Sequence, residues 1–178
     1  MKTNDKNLPY YFFAIALFIV LKFSFTFSDN NDLAFLLKPT DKLVGLLTAS
    51  TSVYLADHGY YHDKLNIVID KSCSGFNFML LCFLMLAFLA LKFFDRHLHK
   101  MLAIPITLFC GVLLTIFVNA SRIFVSIIIQ NHTRHFPVNE DLVHETIGIV
   151  TNLSFLILAY CGIEKLLTKR HHAKPAQS

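Results

Sequence analysis

The chain has 178 residues, 54% of them hydrophobic, with 18 phenylalanines and a formal net charge of +4. That is more apolar surface than a soluble domain of this length hides in one core, so lipid is the solvent for most of it. The positive charge sits in short loops beside apolar runs rather than on one basic face, which sets nucleic-acid binding aside.

Runs of roughly 17–25 apolar residues, enough to cross about 30 Å of hydrocarbon, occur four times. The first, Tyr10 to Phe27, exceeds the roughly 7–15-residue core of a signal peptide, and no small-x-small cleavage site follows. It reads as a retained helix on which Lys22 stands alone, free to snorkel outward. After a polar exit at Ser28 to Asp32, Thr40 or Asp41 is expected to cap a short helix whose apolar face is Leu43, Leu46, Leu47, Val53 and Tyr54. Thr48, Ser50, Thr51 and Ser52 make this segment too polar to cross, so it is expected to lie in the interface over the outer mouth. Tyr54, Tyr60 and Tyr61 suit a headgroup layer. Leu65 to Asp70 alternates weakly and predicts a short strand leading to Cys73.

The second run is Phe76 to Phe94 and the third Met101 to about Gln130, longer than a span needs, so its outer end is expected to project or bend. The fourth is Thr146 to Ile163, followed by a polar, basic tail from Thr168 to Ser178 that is expected to be disordered. The fold class is therefore an all-α, multi-pass transmembrane bundle of about four spans with an interfacial helix, one integral membrane domain over residues 1–178. Cys82, Cys110 and Cys161 fall inside spans and read as small buried hydrophobes.

Lys and Arg orient the bundle. With both termini cytoplasmic, inside segments carry nine basic residues, and the much longer outside segments carry five against nine acids, net −4. This is the positive-inside pattern. It brings Cys73, Arg122 and His144, each where an apolar run meets polar sequence, to the same outer face.

Those three residues are the parts of a cysteine acyl-transfer site. In Lys71-Ser72-Cys73-Ser74-Gly75, a cysteine in the first turn of the second span would meet unpaired backbone N–H groups and the positive dipole end, which favour thiolate and can receive an oxyanion. Gly75 opens room for close approach. Thr115, Asn119, Arg122 and Ser126 form one polar stripe on the third span, expected to face the bundle. The bland alternative for Arg122 is snorkelling, or pairing with Asp70. His144, Gly148, Thr151 and Asn152 share a face of the fourth span, as Cys73 and Asn77 are expected to do on the second.

Cys73-Ser74-Gly75, Asn119-Ala120-Ser121-Arg122 and His144 with Gly148 resemble the Cys, Arg and His motifs of the exosortase/archaeosortase family, membrane transpeptidases. The likeness covers about Ile69 to Tyr160, a catalytic core over residues 69–160, and Lys71 to Phe78 looks most like the small exosortase K type. It implies a cysteine peptidase or transpeptidase in a bacterial cytoplasmic membrane, with its site on the outer side. Cys73 would be nucleophile, Arg122 stabiliser of thiolate or oxyanion, and His144 general acid/base, supported by Ser74, Gly75, Asn77 and Asn119. The implied partners are membrane lipid and exported proteins whose carboxyl-terminal signal joins a short motif, one transmembrane helix and a basic cluster; no cofactor is called for.

Two other readings compete. A metalloprotease needs paired ligands, but His144-Glu145 is followed at the fifth position by Gly148, and His58 with His62 is expected on an exposed polar loop beside Asp57 and Asp63. A non-catalytic scaffold or small transporter would use the polar stripes as interhelical glue.

Overall fold

The computed structural model describes residues 7–56, 58–94, 96–133 and 140–172, with side chains described outside 130–133, 140–144 and 170–172. Five α-helices follow in chain order, α1 (Leu8–Phe27), α2 (Ala34–Thr48), α3 (Phe76–Phe93), α4 (His97–Thr133) and α5 (Glu140–His172). Between α2 and α3 lie β1 (Val53–Leu55), β2 (Gly59–His62) and β3 (Ile67–Ile69). Helices dominate, and four of them are long and apolar enough to cross a membrane, so the protein is an all-α multi-pass membrane bundle.

α3 is the buried axis of the bundle. Within its most apolar window 61% is buried, against 6% for α1 and for α5, so those two helices present most of their surface to lipid. α3 packs on α1, α4 and α5. Phe83, Leu80 and Leu91 are fully enclosed, while Gly111 of α4 lies against the backbone at Met79 and Phe83, where a Cβ would sit 3.4 Å from each. α4 runs unbroken for 37 residues in spite of Pro105. At 1.5 Å per residue this is about 55 Å, so the helix overshoots the hydrocarbon. α5 likewise continues to His172, so the first residues of the expected disordered tail are helical.

α2 differs from the sequence expectation. It begins at Ala34, six residues before Thr40, and both Thr40 and Asp41 lie buried inside it instead of capping it. The reason is tertiary. Leu33, Leu36, Leu37, Thr40, Asp41 and Val44 recur at helical spacing and are all buried, and this stripe packs on α4. Burial there outweighs the ladder bond lost at Pro39. Of the residues expected to make one apolar face of this helix, Leu46 and Leu47 are 78% and 49% exposed, whereas Val53 and Tyr54 lie outside it, in β1. At 15 residues α2 is too short to cross.

The three strands form an antiparallel meander, β1-β2-β3, of which only the last was expected. Register pairs Tyr54 with Tyr60 and Tyr60 with Ile69. Gly59 has φ +89°, and a Cβ there would run into the Ile69 carbonyl, so the hairpin closes only on glycine. One buried polar chain fastens the meander to α2. His62 Nε2 approaches Asp41 Oδ1 at 2.9 Å, His62 Nδ1 bonds Ser50 Oγ at 2.8 Å, and Ser50 bonds Thr48 Oγ1 at 2.7 Å. His62 is therefore fully buried, not a loop residue poised with His58 for a metal. Burial, and secondarily the Asp41 charge, push the Tyr60 phenol above its ordinary range, so it stays neutral.

The cysteines inside the spans divide. Cys82 is buried as expected, but Cys110 and Cys161 are exposed on the lipid-facing surface. An apolar thiol tolerates either surrounding, so the sequence pattern does not separate them.

Candidate active site

β3 ends at Ile69, a 3₁₀ turn spans Lys71–Cys73, and α3 starts only at Phe76. Cys73 is thus outside the first helical turn, and its amide is spent. It donates to the Asp70 carbonyl at 3.0 Å and to Asp70 Oδ1 at 3.3 Å. Asp70 is the residue that shapes this turn. Its Oδ1 also accepts from Ser72 N at 2.9 Å and Ser72 Oγ at 2.6 Å. The pattern is an aspartate capping the two amides that follow it, a signal present in the sequence as Asp70-Lys71-Ser72-Cys73 but read there only as a partner for Arg122.

Gly75 lets this loop lie on α4. It has φ +69°, and a Cβ would stand 3.0 Å from Thr115 Cγ2 and 3.3 Å from Asn119 Cγ. Both strain and contact exclude a side chain. Ser74, itself buried, accepts the Phe76 amide through its hydroxyl at 3.3 Å, so the α3 amino terminus is capped locally. Asn119 Nδ2 donates to the Cys73 carbonyl, joining α4 directly to the nucleophile candidate's backbone. The expected polar stripe does face inward, with Thr115, Asn119 and Ser126 all buried.

Arg122, one turn beyond Asn119, is the unusual member. Its Nε and Nη2 are buried without a hydrogen-bond partner, and no Arg122–Asp70 ion pair forms among the described residues. The guanidinium also packs on α5, where a Cβ added to Gly148 would lie 3.6 Å from Arg122 Cδ and Nη1. A cavity of about 580 Å³ opens at this end, lined by Arg122, Asn152, Phe25 and residues 70–72 and 74–78. Its walls include both serines flanking Cys73, whose own side chain is half-buried against the apolar cluster of α2, α3 and α4. A guanidinium beside a cavity has the charge and donors to receive an anion.

α1 contributes more than an anchor. Phe25 stacks on Phe76 with centroids 4.6 Å apart and planes 7° from parallel. Lys71 reaches across to the end of α1, donating to the Ser28 carbonyl at 2.6 Å and the Thr26 carbonyl at 3.3 Å. Lys22 is not alone, because its Nζ donates to Asn77 Oδ1 at 2.5 Å. Asn77 is thereby turned toward α1 and is exposed, so it does not share a helix face with Cys73.

His144 falls in the first turns of α5, and its side chain lies outside the described residues. The backbone sets it one helical turn before Gly148, the residue against which Arg122 packs, and two turns before Asn152 on the cavity wall. The structure therefore unites the Cys73 loop, Asn119, Arg122, Gly148 and Asn152 at one end of the bundle.

The chain matches no curated protein and no solved structure. It does match the family model for transmembrane exosortases (Exosortase_EpsH), and the match runs from residue 8 to residue 161. The amino-terminal span, which lies before the likeness read from about Ile69, falls within it. With α1, the Cys73 loop, the Arg122 helix and most of α5 all inside the match, the chain belongs to the transmembrane exosortase family.

Proposed function

We propose that this exosortase is a membrane cysteine peptidase or transpeptidase that cleaves the carboxyl-terminal sorting signal of exported proteins. The observation that carries the reading is Arg122, whose buried Nε and Nη2 lack partners among the described residues, beside a cavity walled by the Cys73 loop. An orphaned guanidinium is costly to keep unless a ligand fills it during the reaction. Interhelical glue accounts for Asn119, which donates to the Cys73 carbonyl, but not for Arg122.

In this mechanism His144 takes the thiol proton as Cys73 Sγ forms a bond to the scissile carbonyl carbon, and the carbonyl electrons move to oxygen, where Arg122 stabilises the charge. As the oxyanion collapses, the peptide C–N bond breaks and His144 gives a proton to the departing amine. A thioester remains. An incoming amine, hydroxyl or water, deprotonated by His144, then attacks it; the C–S bond breaks, and His144 returns the proton to sulfur, so Cys73 leaves as the thiol. Lipid confinement of both enzyme and substrate tail supplies the effective concentration. We place the site at the outer face and both termini in the cytoplasm on the distribution of Lys and Arg.

The test is co-expression with a tagged exported protein carrying a motif, a transmembrane helix and a basic cluster at its carboxyl terminus. A size shift is expected with the native chain and is abolished by Cys73→Ala. Arg122→Lys is expected to slow processing about 10²- to 10³-fold, because an ammonium does not reproduce the planar fork. Processing that survives Cys73→Ala overturns the reading.

A further inference from the structure

One face of α3 is left open on a helix that is otherwise mostly buried. Asn77, Leu81, Phe88 and Lys92 are exposed, and their spacings of four, seven and four set them on a single stripe. α1 borders the stripe on one side, where Lys22 bonds Asn77 and the Tyr11 ring meets Phe88 edge-on. α5 borders it on the other, where Phe155 and Leu156 pack with Phe78 and Cys82, and Glu164 pairs with Lys92 at 3.3 Å. α4 lies behind, against Met79 and Phe83. The stripe is thus the floor of a lipid-facing furrow between α1 and α5, about 22 Å long from Asn77 to Lys92 at 1.5 Å per residue.

We propose, resting on the peptidase reading above, that this furrow seats the transmembrane helix of the substrate's carboxyl-terminal tail, with Glu164 receiving the basic residues at the tail's inner end. The furrow is continuous with the candidate site. Asn77 is both its outermost floor residue and a wall of the cavity that Arg122 lines. A helix lying on Leu81 and Phe88 therefore leaves the bilayer at the Cys73 loop, and the extended residues just outside it enter the cavity. A lipid chain in the same place would present no peptide bond there. Charge favours the same occupant. Among the described residues Glu164 is the acid at an inner end otherwise marked by Lys92, Lys100, Lys165 and Lys169. A membrane helix with its carboxyl end inside is flanked there by Lys and Arg. These complement the half-buried Glu164, whereas a lipid phosphate is repelled by it. Lys92 engages Glu164 Oε1, and a carboxylate has acceptor sites for more than one cation.

Cross-linking in membranes tests the furrow. In a full-length chain whose native cysteines are replaced by alanine, Leu81→Cys puts a thiol on the furrow floor. Phe109→Cys puts one on the exposed side of α4, two residues from Gly111 and so at similar depth. Co-expressed tails carry single cysteines at successive positions of their transmembrane helix, and the membranes are oxidised with copper phenanthroline. Disulfide adducts are expected with Leu81→Cys, strongest at every third or fourth tail position, and not with Phe109→Cys. In the chain with its native cysteines, Glu164→Gln is read against tails whose basic cluster is intact or changed to glutamine. The native chain is expected to process the basic tail about two- to fivefold faster, the worth of a partly exposed ion pair. Glu164→Gln is expected to process both tails alike.

Adducts at Phe109→Cys as strong as those at Leu81→Cys overturn the proposal. So does their absence at Leu81→Cys, the result expected if lipid fills the furrow, and so does a preference for the basic tail that survives Glu164→Gln. If the cysteine-free chain does not accumulate in the membrane, the Glu164 comparison decides alone. Intact processing by the native chain without the Leu81 adduct removes the furrow and keeps the peptidase. The Leu81 adduct with processing that survives Cys73→Ala keeps the docking surface and removes the cysteine chemistry, so the two claims fail separately.

Discussion

Arg122 and Gly75 show how single residues fix this site. The guanidinium is held by packing on Gly148 and is left without hydrogen-bond partners at Nε and Nη2, while Gly75 lets the Cys73 loop rest on Thr115 and Asn119. Gly75→Ala would impose a left-handed φ on alanine and push its Cβ to 3.0 Å from Thr115 Cγ2. A loss of about 1–2 kcal/mol from the backbone alone is expected, read as a lower thermal midpoint in detergent, together with lost processing as the loop lifts from α4. Thr115→Ser in the same chain removes the blocking methyl and is expected to restore part of both. The inward placement of Asn119 was legible from sequence because polar groups at helical spacing stand out against apolar runs, and the place of Cys73 at the mouth of α3 because an apolar run begins just after it. Asp70 and Ser72 were not recognised, since their roles lie in a non-helical turn whose hydrogen bonds carry no periodic signature.

Among elements, the spans were legible and the segment between α1 and α3 was not. Apolar length alone locates α1, α3 and α4 within a few residues and the middle of α5, whose helix starts six residues before the apolar run and ends nine after it, because hydrocarbon thickness demands the apolar length and not the helix ends. α2 and the meander obey tertiary contacts instead. Strands of three or four residues are too short to show alternation, and α2 buries a stripe beginning at Leu33 that a capping argument centred on Thr40 overlooks. The Asp41–His62–Ser50 chain then couples these elements to the site, because β2 pairs with β3, and β3 leads into the Cys73 turn. His62→Ala would leave Asp41, only 7% exposed, without the ring nitrogen that lies 2.9 Å from its Oδ1. A destabilisation of about 1–3 kcal/mol is expected, measured by denaturant or thermal unfolding, and Asp41→Asn added to it should recover part of the loss. An unchanged midpoint in His62→Ala would mean that the meander is held by its apolar contacts alone.

For the whole molecule, the bundle has two chemically different ends. One gathers Cys73, Arg122 and the cavity, with Asp29, Asp32, Asp41 and Asp70 on the connecting segments. The other carries Lys92, paired with Glu164 at 3.3 Å, and Lys100, bonded to Asn7 at 2.5 Å. Topology follows if the basic end is retained inside. In a chain whose native cysteines are replaced, Thr51→Cys is expected to react with an impermeant maleimide in intact cells, and His99→Cys only after permeabilisation. The reverse pattern would put the catalytic end in the cytoplasm, away from any exported substrate.

The most direct measurement of the central claim is capture of the acyl-enzyme. Reconstituted protein is mixed with a tagged substrate carrying the carboxyl-terminal signal, quenched in acid and digested for mass spectrometry. The account predicts a substrate acyl group in thioester linkage on the Cys73 peptide, cleavable by hydroxylamine and absent in Cys73→Ala. Cleaved substrate without that adduct in the native chain, together with undiminished cleavage by Cys73→Ala, would contradict it.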